Sequence, residues 1–178
     1  MPPEWVYRLT VTPFRVRWPL DPGTVGDMTD GRGANGSRRL GGVTPGPSAV
    51  EVRVAAQLEN LAVLRTLVGA VGTFSDLDVD AVADLRLAVD EACTRLIRSA
   101  TANAVLVVVV DPRDDAVVVE ASTECSGDDV LGPGSFSWHV LSSLTDEVAT
   151  FGTPDGQAGP ESRVFGITLT TRRAGASR

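Results

Sequence analysis

Hydrophobic and polar residues follow different patterns on the two sides of residue 49. Residues 1–48 are rich in Gly, Pro and Ser, contain PPEW, WPLDPG and GRGANGSRRLGGVTPGPS, and show no apolar period. A segment of this composition buries too little apolar surface to offset its ordering entropy, so we expect a disordered N-terminal extension. Residues 49–173 carry regular apolar patterns, which predict one folded domain, and residues 174–178 are expected to form a flexible tail.

The origin of the extension has two interpretations. In one, residues 1–27 come from a misassigned start and Met28 is the natural first residue. In the other, the segment is a short docking tail that uses its aromatic residues Trp5, Tyr7, Phe14 and Trp18. An intact mass that includes residues 1–27 in the native protein would exclude the first interpretation.

The first half of the domain predicts one strand and two helices. Apolar and polar residues alternate over 49–55, which is typical of a half-buried strand. Leucines recur at helical spacing over 57–71, and we expect that helix to end at the Gly-Thr-Phe-Ser segment 72–75. A second helix should begin at a carboxylate cap, either Asp78 or Asp80, and run to about Ala100.

The second half predicts a hairpin, a short helix and two more strands. β-branched runs at 104–111 and 115–123 flank a turn at 112–114. A Gly-rich loop then leads into a helix over Phe136–Leu144, a strand over 147–151 and, after a second Gly/Pro loop, a final strand over 163–171. The order β-α-α-β-β-α-β-β predicts an α+β fold: a two-layer α/β sandwich in which a mostly antiparallel sheet carries helices on one face.

Composition narrows the function classes. The net charge is −7 and all sixteen basic residues are arginines, so an acidic surface argues against direct nucleic-acid binding and suits a basic protein partner better. No GxxxxGK[ST] phosphate loop is present. No apolar run is long enough for a membrane helix, no signal peptide is recognisable, and two cysteines make no disulfide framework. We therefore expect a cytoplasmic protein that contacts no membrane.

The helix over residues 85–100, LRLAVDEACTRLIRSA, carries the most specific pattern. Leu85, Val89, Ala92 and Leu96 share one stripe, which is the predicted core face. Glu91 and Arg95 lie together on a flank at i and i+4, an order that favours an ion pair worth a few tenths of a kcal/mol. Spacing alone indicates a solvated structural pair.

The segment VDEACTRLI resembles the N-box of the GHKL, or Bergerat-fold, ATPases. It is most similar to their anti-sigma serine kinase branch, where the box reads approximately E-A-x-T-N-A-I, and the segment 50–172 resembles the RsbW-like (UsfX-like) anti-sigma-F factors of mycobacteria. The later segment FSWHVLSSLTDEV also resembles this branch. The resemblance implies a general base at Glu91. It also implies a Mg²⁺ ligand at the Asn of the box, where this chain has Arg95. A guanidinium cannot ligate Mg²⁺, but it can contact a phosphate directly.

The other nucleotide motifs of that family are eroded. The D-x-G-x-G box corresponds to EASTECSG, in which Ser122 stands near the Asp position and Gly127 is the remaining glycine. The G-x-G at a helix start, which would bind phosphate through backbone amides, is represented by Gly134 and Ser135. The resemblance therefore implies a degenerate ATP site, made of Glu91, Arg95, Ser122, Gly127, Gly134 and Ser135. No residues of the chain are predicted to form a metal site. ATP binding is expected to be weakened, and the use of Mg²⁺ is left open.

The resemblance implies an anti-sigma factor that sequesters a sigma-F-type sigma factor away from RNA polymerase. It also implies a homodimer, release by an anti-anti-sigma (STAS-domain) antagonist, and a role in stress transcription. The alternative is an active serine/threonine kinase that phosphorylates the antagonist, with Glu91 as base. In this branch the first helix contributes to the partner surface, which makes Arg65 a candidate partner contact beside its interpretation as a solvated arginine.

The remaining reactive or aromatic side chains have ordinary interpretations. His139 is the only histidine and is expected on a helix surface or cap. We expect Cys93 to be buried, Cys125 to be more exposed in its Gly-rich loop, and Phe136 and Trp138 to pack on the sheet.

Overall fold

The computed structural model describes residues 45–126, 131–152 and 163–175, all within the compact unit Arg39–Arg178. The extension before residue 45, Gly127 and residues 176–178 therefore lie outside the described residues. The elements are β1 (Val50–Ala55), α1 (Leu61–Phe74, after one 3₁₀ turn at Leu58–Asn60), α2 (Val79–Ser99), β2 (Val105–Pro112), β3 (Ala116–Cys125), α3 (Phe136–Leu144), β4 (Glu147–Gly152) and β5 (Arg163–Arg172). The predicted order of elements is confirmed.

The five strands form one sheet with the order β1-β2-β3-β5-β4. Every neighbouring pair is antiparallel. The α+β class, with an antiparallel sheet and three helices, is thus confirmed. None of the helices in the described ranges is long and apolar enough to cross a membrane.

The core fills the space between the helices and one face of the sheet. Alternate strand residues point into it, for example Val108, Val119 and Leu169, and each is at most 1% exposed. The predicted stripe of α2 is confirmed, because all its members are buried against these strand residues: Leu85, Val89, Ala92 and Leu96. Alternation along each strand assigns the intervening residues to the other, outer face.

The end of α1 differs from the expectation. The helix does not stop at Gly72 but continues to Phe74, and Ser75 closes it by donating from its backbone N to the Val71 carbonyl at 2.9 Å. Gly72 is buried, and a Cβ there would lie 3.3 Å from Val82 on α2. The glycine therefore allows close packing of two helices and does not terminate one.

The start of α2 resolves the choice between two aspartates. Asp78 is the N-cap, and its Oδ1 accepts from the backbone N of Ala81 at 2.8 Å. Asp80 lies in the first turn, where a negative charge is favoured by the helix dipole. The cap fixes where the 21-residue helix begins.

Candidate functional site

Glu91 and Arg95 lie on the flank of α2 that faces the start of α3, and one serine joins them. Ser137 Oγ donates to Glu91 Oε1, and Arg95 Nε donates to Ser137 Oγ at 2.6 Å. Arg95 Nε also lies 3.4 Å from Glu91 Oε1, so the predicted i,i+4 ion pair is present. We call these three residues the Glu91–Ser137–Arg95 cluster.

The position of Ser137 follows from the way α3 begins. Gly134 adopts a positive φ of 90°, a conformation that favours glycine. Ser135 is then the N-cap, and its hydroxyl accepts from the backbone N of Trp138 at 3.2 Å. Ser137 follows in the first turn and is completely buried, whereas the side chains of Glu91 and Arg95 are 32% and 40% exposed. The cluster therefore has a buried hydroxyl at its centre and two partly hydrated charges around it.

The residues of the cluster do not fit a magnesium site. Mg²⁺ requires oxygen ligands in octahedral geometry, and the position that the family gives to a neutral amide holds the cationic Arg95. The Glu91 Oε1 atom is already engaged by a hydroxyl and faces that cation. Across the described ranges no group of three or more His, Cys, Asp or Glu side chains is placed to hold a metal ion.

The structure does not bring Ser122 to the cluster. Ser122 pairs with Gly166 of β5 and Val107 of β2, and strand alternation places it on the outer face of the sheet, away from α2. Gly166 itself has a packing function, because a Cβ on it would lie 2.1 Å from Phe151 Cζ. Of the predicted nucleotide residues that the structure describes, Glu91 and Arg95 therefore meet the start of α3, and Ser122 does not.

The two loop residues predicted for phosphate binding serve the helix start. Gly134 provides the left-handed turn, and a Cβ there would meet open space within 4 Å. The Ser135 hydroxyl is occupied as the cap of α3. Because capping satisfies one of the exposed first-turn amides, fewer free donors remain there for a phosphate.

Arg65 makes a specific contact between the first two helices. Its Nε donates to Asp90 Oδ2 at 2.8 Å, and a second donor, Nη2, reaches the same oxygen. The Arg65 side chain is 44% exposed, so the pair is not sealed from water. Arg65 is therefore a solvent-exposed helix arginine that is also ion-paired with Asp90, and its possible contact with a partner stays a prediction.

Ser137 is the member of the Glu91–Ser137–Arg95 cluster that sequence reasoning missed. It lies 46 residues from Glu91 in the chain, so spacing along the sequence does not connect the two residues. The signal available in the sequence was a serine in the first turn of the predicted helix over Phe136–Leu144.

Two expectations about neighbouring side chains are wrong. Cys125 is not exposed: it ends β3 at 1% exposure and belongs to the core. Phe136 does not pack on the sheet, since it is 80% exposed on the first turn of α3, whereas Trp138 does pack against the core. His139 is exposed on the helix surface, as predicted.

Both thiols are poorly ionisable. Burial, with a smaller contribution from the Asp90 carboxylate, raises the pKa of the Cys93 thiol to about 12. Burial alone raises the pKa of the Cys125 thiol to about 11. Since the thiolate is the reactive form, neither cysteine is suited to nucleophilic chemistry near neutral pH.

Comparison with known proteins identifies the family. No protein-family model matches the chain. Over 134 residues, however, it is 68% identical to the anti-sigma-F factor RsbW of two Mycobacterium tuberculosis strains, CDC 1551 / Oshkosh and H37Rv, and the alignment covers 75% of this chain and 79% of each relative. The chain belongs to the RsbW family of anti-sigma-F factors. The predicted resemblance to the RsbW-like anti-sigma-F factors of mycobacteria is thereby confirmed.

Proposed function

We propose that this chain is an anti-sigma factor that binds a sigma-F-type sigma factor and blocks its association with RNA polymerase. The observation that carries the proposal is the 68% identity over 134 residues to RsbW proteins that are named as anti-sigma-F factors. At such identity two chains share a fold and most of their surface. An acidic chain of net charge −7 also suits a partner that must itself be basic enough to contact promoter DNA.

The geometry of the Glu91–Ser137–Arg95 cluster favours a binding protein over a kinase. Phosphoryl transfer requires positioned phosphates and Mg²⁺, with a base free to orient the attacking hydroxyl. Here the Glu91 carboxylate is engaged by Ser137, and Arg95 stands at the metal-ligand position. Sequestration requires only a stable surface, which the cluster supports by joining α2 to α3.

We further propose that the inhibitory state needs neither ATP nor Mg²⁺. Any residual nucleotide contact would run through the Arg95 guanidinium, whose fork of donors matches a phosphate. The antagonist, the homodimer and the cytoplasmic location belong to the same proposal: an anti-anti-sigma STAS-domain protein competes for the chain, and a dimer of two copies is the inhibitory form.

Transcription in vitro tests the proposal. RNA polymerase core, the purified sigma-F-type factor of the source organism and a template with its promoter are mixed with increasing amounts of the full chain, without added regulator. We expect synthesis to fall to background near stoichiometric addition. Unimpaired transcription at a tenfold excess of the chain would refute the anti-sigma function.

A parallel assay addresses the kinase alternative. Radiolabelled ATP and Mg²⁺ are added to the chain and a purified STAS-domain antagonist, with Glu91→Gln as the matched variant. We expect no label on the antagonist with either protein. Label that appears with the native chain and disappears with the Glu91→Gln variant would establish the kinase instead.

A further inference from the structure

β1 is an edge of the sheet, and in the described ranges no strand lies beside it on the side away from β2. Its pairing with β2 runs without a bulge from Val50 to Ala55, and the strand contains no proline or glycine. Proteins often protect an exposed edge with a proline or a bulge, because unpaired N–H and C=O groups can bind another strand. The β1 edge is therefore open to the addition of a strand.

The backbone groups that face the open edge belong to alternate residues of β1. The backbone N of Ala56 donates across to the chain just before β2 at 2.9 Å, so Ala56 is a hydrogen-bonded position of this antiparallel pair. Such positions alternate, so the odd-numbered residues point their N–H and C=O groups away from β2. The Ala55 carbonyl fits this direction, because it accepts from Asn60 Nδ2 at 2.8 Å. That contact closes one end of the edge and leaves Glu51 and Arg53 as its available positions.

The side chains of β1 have an order that is complementary to itself. Glu51 and Arg53 lie on the outer face, where they form an exposed ion pair at 2.6 Å within the strand. Val50, Val52 and Val54 lie on the face that the helices cover, yet Val50 is still 37% exposed. In either direction the strand reads valine, charge, valine, charge, valine, with the two signs exchanged. A second copy that runs antiparallel therefore offers opposite charges to the charges and valines to the valines.

The charges choose one register for such a pair. With Glu51 and Arg53 as the edge positions, a two-fold axis can pass beside either of them or beside Val52. An axis at Glu51 sets two glutamates directly opposite each other, an axis at Arg53 sets two arginines opposite each other, and like charges there destabilise a strand pair. An axis at Val52 sets each Glu51 opposite Arg53 of the second copy, and each of these pairs exchanges both N–H···O bonds. It also covers the exposed Val50 with Val54 of the second copy.

The residues that lead into β1 turn away from the open edge. The backbone N of Gly46 donates to both carboxylate oxygens of Asp111 at 3.2 Å, and the backbone N of Ala49 closes the turn on the Gly46 carbonyl. A Cβ on Gly46 would lie 2.9 Å from Asp111 Oδ1, so the glycine allows this close approach. Because Asp111 belongs to β2, the described segment before β1 crosses over β2 and does not cover the edge.

We propose that two copies of this chain pair antiparallel through their β1 edges, with the two-fold axis at Val52, and join their five-stranded sheets into one. The inference rests on the proposed function, to which it adds the interface of the dimer. Directly opposite residues share a face, so the helices of both copies lie on the same side of the joined sheet. The paired segment is short, and we expect a reversible dimer. Each copy uses its β1 edge once, so assembly stops at two copies.

Sedimentation velocity of the full chain over a concentration series tests the charge pairing. Glu51→Arg sets arginines opposite each other at both symmetric positions, and we expect the dissociation constant of the dimer to rise about tenfold. The double variant Glu51→Arg/Arg53→Glu exchanges the signs and should return to within about threefold of the native value. The matched control is Glu147→Arg on the other edge strand, β4, which should leave the constant unchanged. A double variant as weak as the single one would overturn the register.

Cysteine cross-linking tests the position of the two-fold axis. Val52→Cys places two thiols at a pair that is not hydrogen-bonded, with Cα atoms about 4.5 Å apart, a distance that a disulfide bridges. We expect mild oxidation to give a covalent dimer. Val54→Cys is the matched control and should stay uncross-linked, because it lies opposite Val50 of the second copy. The native thiols of Cys93 and Cys125 are buried and do not compete. Thermal unfolding of each variant verifies that it folds.

The outcomes separate the interface from the proposed function. A native chain that sediments as a monomer at every concentration and still blocks transcription would refute the interface and leave the anti-sigma function intact. A dimer that Glu51→Arg leaves unchanged, and that Val52→Cys does not cross-link, uses another face and also refutes the interface. A dimer with the expected register that binds no sigma factor would support the interface and refute the anti-sigma function.

Discussion

The substitution Ser137→Ala tests whether the Glu91–Ser137–Arg95 cluster holds α3 on α2. It removes one hydroxyl that donates to a carboxylate and accepts from a guanidinium, the latter at 2.6 Å. Hydrogen bonds to charged groups contribute about 1.5–3 kcal/mol each when the partner is left buried. Glu91 and Arg95 are about one third exposed, so water replaces much of each lost bond. We therefore expect a loss of about 1–2 kcal/mol in the free energy of unfolding.

Urea unfolding followed by circular dichroism measures this loss, and a melting experiment should show a midpoint lower by roughly 3–8 °C. The matched control is Ser142→Ala, at an exposed position on the same helix, which should change stability by less than about 0.5 kcal/mol. A double-mutant cycle with Glu91→Gln should give a coupling free energy of at least about 0.5 kcal/mol. Equal stability of the two serine variants would show that the cluster does not hold the helices together.

Three further outcomes follow from other contacts. Gly166→Ala should cost about 1–3 kcal/mol in urea unfolding, because its Cβ would lie 2.1 Å from the Phe151 ring, and it should cost far less in a Phe151→Ala background; an equal cost in both backgrounds would contradict that packing. Arg65→Ala should lower stability by about 0.5–1 kcal/mol at low salt and by less in 1 M NaCl, and a salt-independent loss would exclude the ion pair as its cause. Since the pKa of Cys93 is about 12 and that of Cys125 about 11, both thiols should resist iodoacetamide at pH 8 until the chain is unfolded. The free energy of unfolding should fall as the pH rises above 9, because only the thiols of the unfolded chain ionise there. Rapid alkylation of the folded chain would refute the burial of the two thiols.

Local pattern predicted the elements of this fold because each depends mainly on its own segment. The α3 boundaries, Phe136–Leu144, match the prediction, and the other elements agree within a few residues. The sequence-based prediction failed where a contact between residues far apart in the chain determines the local structure. Gly72 was expected to end α1, but it lies inside the helix, where a Cβ would come within 3.3 Å of Val82 on α2. Cys125 was assigned to a loop because the pairing of β3 with β5, which carries the strand through that residue, is not local.

The candidate site was predictable in part for the same reason. Glu91 and Arg95 are neighbours on one helix, so their pairing follows from spacing alone. Ser137 comes from another helix, and only the packing of α3 on α2 brings it to them. Ser122 was assigned to the site by its place in a motif, whereas alternation along β3 turns its side chain to the outer face. Sequence therefore revealed the acid and the arginine but not the hydroxyl that joins them.

The most direct test of the account is the affinity between the full chain and the purified sigma-F-type factor, measured by titration calorimetry without nucleotide and again with saturating ATP and Mg²⁺. The account predicts specific binding in both conditions, with dissociation constants that agree within about threefold, a difference of about 0.7 kcal/mol. The cluster that joins α2 and α3 contains no group that requires a nucleotide or a metal. Binding that occurs only with ATP and Mg²⁺, or no binding in either condition, would contradict it.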